Sequence, residues 1–331
     1  MTSAQDGRRR SRAVLLSSAG GPETLRIGET PVPDPGAHEI RVAVRASALN
    51  RADVLQRRGH YPAPPGWPSD IPGLEYSGEV EALGDGVTRW RLGDRVMGLV
   101  GGGGHAESVV VHEDEALPIP ERLSLSEAAA IPEAFLTAFD ALCVTGRLRR
   151  GERVLIHAVG SGVGTAAVQV AKRAGAFTIG TSRTQEKLER ARELGLDLGV
   201  LTRDASFRDA LGGPVEVVLD LLGAAVFDDN LAVLAPRGRM VLLGLLSGGR
   251  AEVNLEPVMR KRVEIHGSVM RSRARGERIA LAERARVDLL PGFADGSLRP
   301  VVGRTYDMTE IAEAHRAMER DEVFGKIVLE W

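Results

Sequence analysis

The sequence has one cysteine, few aromatic residues and no long apolar run. Because Cys143 is the single cysteine, no internal disulfide can form, and one thiol fits a reducing compartment. No apolar run approaches the ~18 residues of a membrane-spanning helix, so we expect no membrane contact. The formal net charge is only −2, which disfavours nucleic acid or an anionic membrane as the main partner.

The N-terminal segment Met1–Arg12 is polar and basic, and it lacks the apolar core of a secretory signal peptide. We expect this segment to be a frayed tail and the protein to be cytoplasmic. With 331 residues, of which 43% are hydrophobic and 27% charged, the chain has the length and composition of a globular protein with two domains.

The most informative segment is a strand, turn and helix pattern in the middle of the chain. The apolar run Val154–Ala158 predicts a buried parallel strand, and small residues recur at helical spacing from Ala166 to Ala171. Between them lies a turn that presents free main-chain N–H groups, at the positive end of a helix dipole, to a pyrophosphate. The predicted cofactor-binding residues of this turn are Gly160, Ser161, Gly162, Val163 and Gly164.

This turn departs from the usual dinucleotide fingerprint, G-x-G-x-x-G. When the pattern is aligned on its last glycine, Gly164, the first two glycine positions hold Val159 and Ser161. A strand–helix turn that binds no ligand is therefore an alternative that these residues alone leave open.

The periodicity of the sequence changes along the chain. Up to about residue 130, short apolar runs broken by glycine and proline predict an irregular β-barrel or sandwich. From Arg153 to about Val269, six strands alternate with helices, which predicts a doubly wound parallel sheet of the Rossmann type. Helices near Ile279–Phe293 and Glu310–Arg320, and a strand at Lys326–Glu330, are expected to return to the first domain.

The end of the second strand of this sheet indicates the cofactor. An NAD-preferring site has an acidic residue there, but none stands between Thr178 and Gln185. Arg183 can bind a phosphate, the hydroxyl of Ser182 can donate to it, and Lys187 lies one helical turn later on the same face. The residues favour NADPH; a solvated helix start is the alternative.

The sequence gives no sign of a metal site. Closed zinc sites need clustered cysteine and histidine, and the seven histidines show no ligand spacing. His157, in the predicted central strand, is more typical of a hydrogen-bonded core histidine than of a catalyst.

A set of motifs in fixed order extends over nearly the whole chain. They are Ala48–Asp53 (ALNRAD), Gln56–Tyr61 (QRRGHY), Pro72–Gly78 (PGLEYSG), Gly93–Val96 (GDRV), Ala129–Pro132 (AAIP), Leu136–Phe139 (LTAF), His157–Gly164 and Gly325–Leu329 (GKIVL). With them the chain resembles the zinc-independent medium-chain dehydrogenases/reductases and, more narrowly, the NADPH:quinone oxidoreductases. The resemblance implies a GroES-like β-barrel domain, residues 1–132 and 277–331, interrupted by a Rossmann NADP-binding domain, residues 133–276.

The same resemblance supports the absence of a metal. The zinc-containing relatives have a cysteine at the position of Asn50 and Gly-His-Glu at the position of Gly73-Leu74-Glu75, so both ligand positions are lost. The turn matches the relaxed family pattern Ala-x-x-Gly-x-x-Gly at Ala158 and Gly164. Members commonly form dimers or tetramers, so we expect a homodimer or homotetramer.

The resemblance also suggests roles for individual residues. Asn50, Gln56 and Tyr61 are the predicted catalytic residues on the substrate side of the nicotinamide, where Tyr61 would stack on or hydrogen-bond a quinone. Asp53 is expected to be structural, either as a cap or as the partner of a nearby arginine. Glu75 is expected to be an internal ion-pair partner. Further predicted cofactor contacts are Thr137, Gly244, Leu245, Met270, Arg271, Ser272 and Lys326. For Lys326 the alternative is an ordinary lysine on the surface.

Two other functions remain open. A reductase of activated C=C bonds, in enones, alkenals or enoyl thioesters, would have the same fold and cofactor, with Tyr61 as the near candidate for a proton donor. A non-catalytic cofactor-gated or RNA-binding protein is disfavoured by the balanced charge.

Overall fold

The computed structural model describes residues 9–202 and 206–331. The chain divides into two compact units. The first contains the described residues up to Glu133 together with Arg271–Arg286 and Val302–Trp331, and the second contains Ala134–Met270 and Val287–Val301.

The elements are numbered along the chain. The strands are β1 Arg10–Leu16, β2 Leu25–Pro31, β3 Glu39–Leu49, β4 Glu75–Leu83, β5 Arg95–Leu99, β6 Ser108–His112, β7 Leu117–Pro118, β8 Arg153–Ile156, β9 Phe177–Ser182, β10 Leu198–Leu201, β11 Val215–Asp220, β12 Leu234–Leu242, β13 Glu264–Gly267, β14 Val302–Asp307 and β15 Lys326–Glu330. The α-helices are α1 Arg51–Arg57, α2 Leu125–Ala129, α3 Thr137–Phe139, α4 Gly162–Arg173, α5 Gln185–Arg192, α6 Phe227–Val233, α7 Glu256–Lys261, α8 Arg275–Asp288, α9 Leu290–Asp295 and α10 Ile311–Glu319. Wider π-helical turns at Pro132–Leu136 and Asp140–Thr145 flank α3.

The first unit is built on a mostly antiparallel sheet. Its strand order is β14-β15-β3-β4-β5-β7, with β6 also paired to β3. Alternate residues of β3, among them Ile40, Val42 and Val44, point into an apolar core with Tyr76 and Trp90, which is why this strand forms with one buried face. The C-terminal strand β15 pairs with β3, as expected for a strand that returns to the first domain.

The second unit contains the predicted doubly wound sheet, which is confirmed. Six parallel strands lie in the order β10-β9-β8-β11-β12-β13. The strand order reverses at β8, and in sheets of this kind the crevice beyond the carboxyl ends of the strands at this point binds the nucleotide. The glycine turn follows directly after β8, so the sheet places it at that point.

Three expectations differ from the structure. Part of the segment expected to be a tail belongs to a sheet, because Arg10 begins β1 and pairs with Pro31; residues 1–8 lie outside the described part. The helix predicted over Ile279–Phe293 is two helices, since Pro291 lacks the N–H group that a continuous helix would need. Residues 287–301 group with the second unit rather than the first, and the ring of Phe293 packs edge-on at 4.7 Å from that of Phe135.

The boundaries of the two units also differ slightly from the predicted ones. The chain passes from the first unit to the second after residue 133, against a predicted 132, and returns after residue 270, against a predicted 276. In the part of the chain that the structure describes, no helix is long and apolar enough to cross a membrane.

Candidate active site

The histidine at the end of the central strand is a core residue, as predicted. His157 is fully buried, its Nδ1 lies 2.9 Å from the hydroxyl of Thr181, and its Nε2 lies 2.8 Å from Oδ1 of Asn230. Burial lowers the pKa of His157, so its ring is neutral at physiological pH. Through these two contacts His157 holds the chain at the point where β8 ends and the glycine turn begins.

The turn after β8 is shaped to leave main-chain N–H groups free. Ser161 is the N-cap of α4, and its Oγ accepts a hydrogen bond of 3.0 Å from the N–H of Gly164. A Cβ atom at Gly164 would lie 2.3 Å from the carbonyl oxygen of Ala158, so only glycine lets the helix approach the strand this closely. The N–H groups of Gly162 and Val163, the first two of α4, have no acceptor within the helix and are suited to an anion.

The side chain of Lys187 lies against this turn. A Cβ atom at Gly160 would be 2.6 Å from Cδ of Lys187, so the lysine stem covers the turn at that glycine. Arg183 follows Ser182, the last residue of β9, and is exposed, whereas Lys187 is half-buried. The Oγ of Ser182 accepts a hydrogen bond of 3.2 Å from the N–H of Thr184. Two cationic side chains thus lie near the carboxyl end of β9.

Four further predicted cofactor residues belong to the same unit. Thr137 is buried, and among the described residues its Oγ1 has no hydrogen-bond partner, which suits a polar group supplied from outside. A Cβ atom at Gly244 would lie 2.7 Å from the carbonyl oxygen of Leu221, so the loop after β12 also approaches closely only with glycine. Leu245 next to it is 61% exposed, and Met270 is buried.

The first unit contains a buried ion pair. Nζ of Lys326 lies 2.7 Å from Oε1 of Glu75, and the two side chains are 4% and 0% exposed. The same ammonium donates to Oδ1 of Asn50 at 2.6 Å and to the carbonyl oxygen of Leu49 at 3.1 Å, which uses its three protons. The expected role of Glu75 is confirmed, and the alternative of a surface position for Lys326 is wrong. A cofactor contact of Lys326 stays a prediction.

Asn50 and Asp53 form a capping box at the start of α1. The N–H of Asn50 donates to Oδ2 of Asp53 at 2.8 Å, and the N–H of Gly73 donates to Oδ1 at 3.1 Å. Burial raises the pKa of Asp53 to about 6, against these main-chain hydrogen bonds. The predicted structural role of Asp53 is confirmed. The side-chain amide of Asn50 donates to Oε1 of Glu75 at 2.8 Å and so belongs to the buried ion-pair network.

Arg271 joins the other two predicted catalytic residues. Its guanidinium donates to Oε1 of Gln56 at 2.7 Å, to the carbonyl oxygen of Tyr61 at 2.8 Å and to that of Gly101 at 2.7 Å. It also lies 5.1 Å from the centre of the Tyr61 ring, in cation–π geometry. Gln56 is buried, whereas Tyr61 is half-buried, and Ser272 after Arg271 is exposed. Arg271 therefore fixes the segment that presents Tyr61.

The structure adds one residue that sequence reasoning missed. Glu133 is half-buried, and its main-chain N–H donates to Oε2 of Glu75 at 2.7 Å. Burial and the charge of Glu75 raise the pKa of Glu133 to about 8. The signal in the sequence was a lone carboxylate within the apolar run from Ala128 to Phe139. Among the described residues, no group of three or more His, Cys, Asp or Glu is placed to hold a metal ion.

Comparison with known proteins agrees with this arrangement. The family model of the alcohol dehydrogenase GroES-like domain matches residues 36–121, and that of the zinc-binding dehydrogenases matches residues 162–285. A quinone oxidoreductase from Pseudomonas aeruginosa is 35% identical, over 96% of this chain and 99% of that protein. The fold and these matches define a nicotinamide-dependent oxidoreductase. The chain belongs to the medium-chain dehydrogenase/reductase superfamily, in its quinone oxidoreductase family.

Two solved structures illustrate the range of this fold. The crystal structure of an NAD-dependent alcohol dehydrogenase is 34% identical with a TM-score of 0.87, covering 97% of this chain and 99% of that one. The CurK enoyl reductase is 29% identical with a TM-score of 0.84, again covering 97% and 99%. The superfamily thus includes more than one substrate class, so the substrate has to be argued from the site.

Proposed function

We propose that this protein transfers hydride from NADPH to quinones without a metal ion. Two features support the proposal: in the second unit, a glycine turn with Lys187 against it and Arg183 nearby in the sequence, and in the first unit, the half-buried ring of Tyr61 held by Arg271. The quinone oxidoreductases among its relatives support the choice of substrate. At the positions of the zinc ligands in other family members, this chain has Asn50 and Leu74.

The choice of NADPH rests on charge. The 2′-phosphate distinguishes NADPH from NADH, and the positive side chains of Arg183 and Lys187 complement it, with the Ser182 hydroxyl as a third donor. In an NAD-preferring site a carboxylate would occupy this place and repel the phosphate. The pyrophosphate would be held by the N–H groups of Gly162 and Val163. Thr137 would donate to the cofactor its hydroxyl, which has no partner in the part of the chain that the structure describes.

The residues of the first unit would bind and orient the quinone. The bound nicotinamide supplies the hydride, so the protein needs mainly to align the acceptor ring and exclude water. Tyr61 would stack on the quinone ring, and Asn50 would face its oxygen from the start of α1. Gln56 and Arg271 would hold Tyr61 in position through the hydrogen bonds that join them.

A substrate panel tests the proposal. Oxidation of NADPH is followed with 1,2-naphthoquinone and, in parallel, with an alkenal. We expect the higher kcat/KM with the quinone. Much higher kcat/KM with the alkenal, with the quinones inert, would overturn the quinone proposal in favour of a C=C reductase.

The reductase of activated C=C bonds remains the second candidate, and two observations favour it. The CurK enoyl reductase is a close structural match, and Glu133 offers a carboxyl group whose charge raises the pKa of Tyr61. Saturation of an enone requires a proton at the α-carbon, whereas a reduced quinone can take its protons from water. A protein that acts on both substrates would therefore depend on this acid more strongly with the alkenal.

We further propose that the protein is a homodimer or homotetramer, as the resemblance to its family implies. Light scattering of the purified protein should then give two or four times the chain mass of 35.4 kDa. A mass of one chain at working concentration would contradict this assignment.

A further inference from the structure

We propose that Glu133 is the general acid of this reductase and donates the proton that the substrate takes up after it accepts hydride. This inference rests on the proposed function, since it needs a substrate that accepts hydride. It names a group that neither the family resemblance nor the motif pattern assigned.

Glu75 is the ionised carboxylate of the buried network. Its carboxylate accepts three hydrogen bonds: from Lys326 Nζ at 2.7 Å, from Asn50 Nδ2 at 2.8 Å and from the main-chain N–H of Glu133 at 2.7 Å. A carboxylate with an ammonium and two further donors is stabilised in its ionised form. Glu133 is thus bound, through its own backbone, to an anion.

The neighbouring cations already donate hydrogen bonds to groups other than the Glu133 side chain. Lys326 donates its three protons to Leu49, Asn50 and Glu75. Each of the three guanidinium nitrogens of Arg271 donates elsewhere, to Gly101, Tyr61 and Gln56. Across residues 9–202 and 206–331, the side-chain oxygens of Glu133 make no hydrogen bond or ion pair.

A carboxyl group in this position keeps its proton near neutral pH. Burial and the charges of Glu75 and Asp53 raise the pKa of Glu133. The positive charges of Lys326 and Arg271 lower it, and the resulting pKa is about 8. A general acid works best when its pKa lies near the working pH. For Tyr61, burial and the charge of Glu133 raise the pKa above its usual value of about 10, so the phenol is the weaker acid of the two.

The proposed step balances in atoms and charge. Hydride addition leaves the quinone as a hydroquinone monoanion. The O–H bond of Glu133 breaks, its proton forms a new O–H bond on the anionic oxygen, and the carboxylate is reprotonated by water. With an enone the same proton would form the C–H bond at the α-carbon of the enolate. In either case one reduced nicotinamide and one proton are consumed.

The experiment compares the wild type with Glu133→Gln, which keeps the shape and the main-chain hydrogen bond but cannot donate a proton. Glu121→Gln, an exposed glutamate of the same unit, is the matched control. First, infrared titration of the cofactor-free protein should show a carboxylic acid band that disappears around pH 8. The band should be absent in Glu133→Gln and present in Glu121→Gln.

The second measurement is kcat against pH with 1,2-naphthoquinone and with an alkenal. Wild-type kcat should be full below pH 8 and fall above it, because the acid is then ionised. With the alkenal, Glu133→Gln should lower kcat about 100-fold and abolish this alkaline limb, with KM nearly unchanged. With the quinone the fall in kcat should be smaller, because the hydroquinone anion can also take a proton from water. Glu133→Asp, which keeps an acid, should restore part of kcat and the limb.

The outcomes separate the two proposals. A missing acid band at pH 7 overturns the role of Glu133 whatever the substrate is. An unchanged kcat and alkaline limb in Glu133→Gln overturn it as well. If the alkenal is turned over and quinones are inert, the quinone proposal fails, and the effect of Glu133→Gln on kcat with the alkenal then decides the role of Glu133. If neither substrate is reduced, both proposals fail.

Discussion

Lys326 and Glu75 lie 251 positions apart in the chain, yet their charged atoms are 2.7 Å apart in the interior of the first unit. The pair joins the C-terminal strand β15 to β4. Two ions in such a place are stable only with good geometry and further hydrogen bonds, and Asn50 and the N–H of Glu133 provide them. The Lys326–Glu75 ion pair thus links β15 to β4 and keeps Glu75 negatively charged next to Glu133, the proposed acid.

Breaking this pair should be costly. We expect Lys326→Met to lower the free energy of unfolding by roughly 3–5 kcal/mol, because it leaves Glu75 buried without a counter-ion. Chemical denaturation measures the change. As the control, Arg45→Met removes one side of the exposed ion pair with Glu79 and should cost no more than about 1 kcal/mol. Equal losses in the two variants would contradict the account of the buried pair.

Arg183→Ala should separate the two nicotinamide cofactors. Losing a charge-assisted contact to the 2′-phosphate should cost roughly 1.5–3 kcal/mol, seen as a raised KM for NADPH. The KM for NADH should barely change, since NADH has no such phosphate. Arg192→Ala, an exposed arginine at the other end of α5, is the control and should change neither value. Equal effects of Arg183→Ala on both cofactors would rule out the phosphate assignment.

Gly164→Ala should damage the turn itself. The new Cβ would stand 2.3 Å from the carbonyl oxygen of Ala158, so helix and strand must move apart. We expect a loss of about 1–3 kcal/mol in stability and weaker NADPH binding in a fluorescence titration. Gly276→Ala, at a helical glycine with open space around it, should leave binding unchanged. NADPH binding as tight as in the wild type would show that the turn is not the pyrophosphate site.

Tyr61→Phe distinguishes stacking from proton donation. The ring remains next to Arg271, so quinone binding should be kept. The fall in kcat should be well short of the ~100-fold loss that removal of a general acid brings. Steady-state kinetics with the quinone and the alkenal give the comparison. A larger fall in kcat for Tyr61→Phe than for Glu133→Gln would make the phenol the acid.

The second unit was largely predictable because its signals are local. Strand runs such as Val154–Ala158, the capping serine at 161 and the small residues of α4 each determine structure within a few residues of themselves. The six-stranded sheet followed from their alternation. The break between α8 and α9 depends on Pro291. It was missed because apolar residues continue at helical spacing across this proline.

The candidate site was less predictable because its chemistry depends on contacts between distant positions. An internal ion-pair partner was expected for Glu75, but nothing near it in the sequence identifies Lys326. Glu133 was missed for the same reason: its proton is retained only because Glu75 is ionised beside it and the nearby cations are already bound. Arg271 was expected at the cofactor, while its contacts with Gln56 and Tyr61 require the folded chain.

The central claim is a metal-free, NADPH-dependent reduction of quinones, and one measurement tests it directly. The purified protein is dialysed against a chelator, and kcat/KM for 1,2-naphthoquinone is determined with NADPH and with NADH. We expect turnover that survives the chelator and a clear preference for NADPH. Loss of activity that a divalent metal restores, a preference for NADH, or no turnover of the quinone would contradict it.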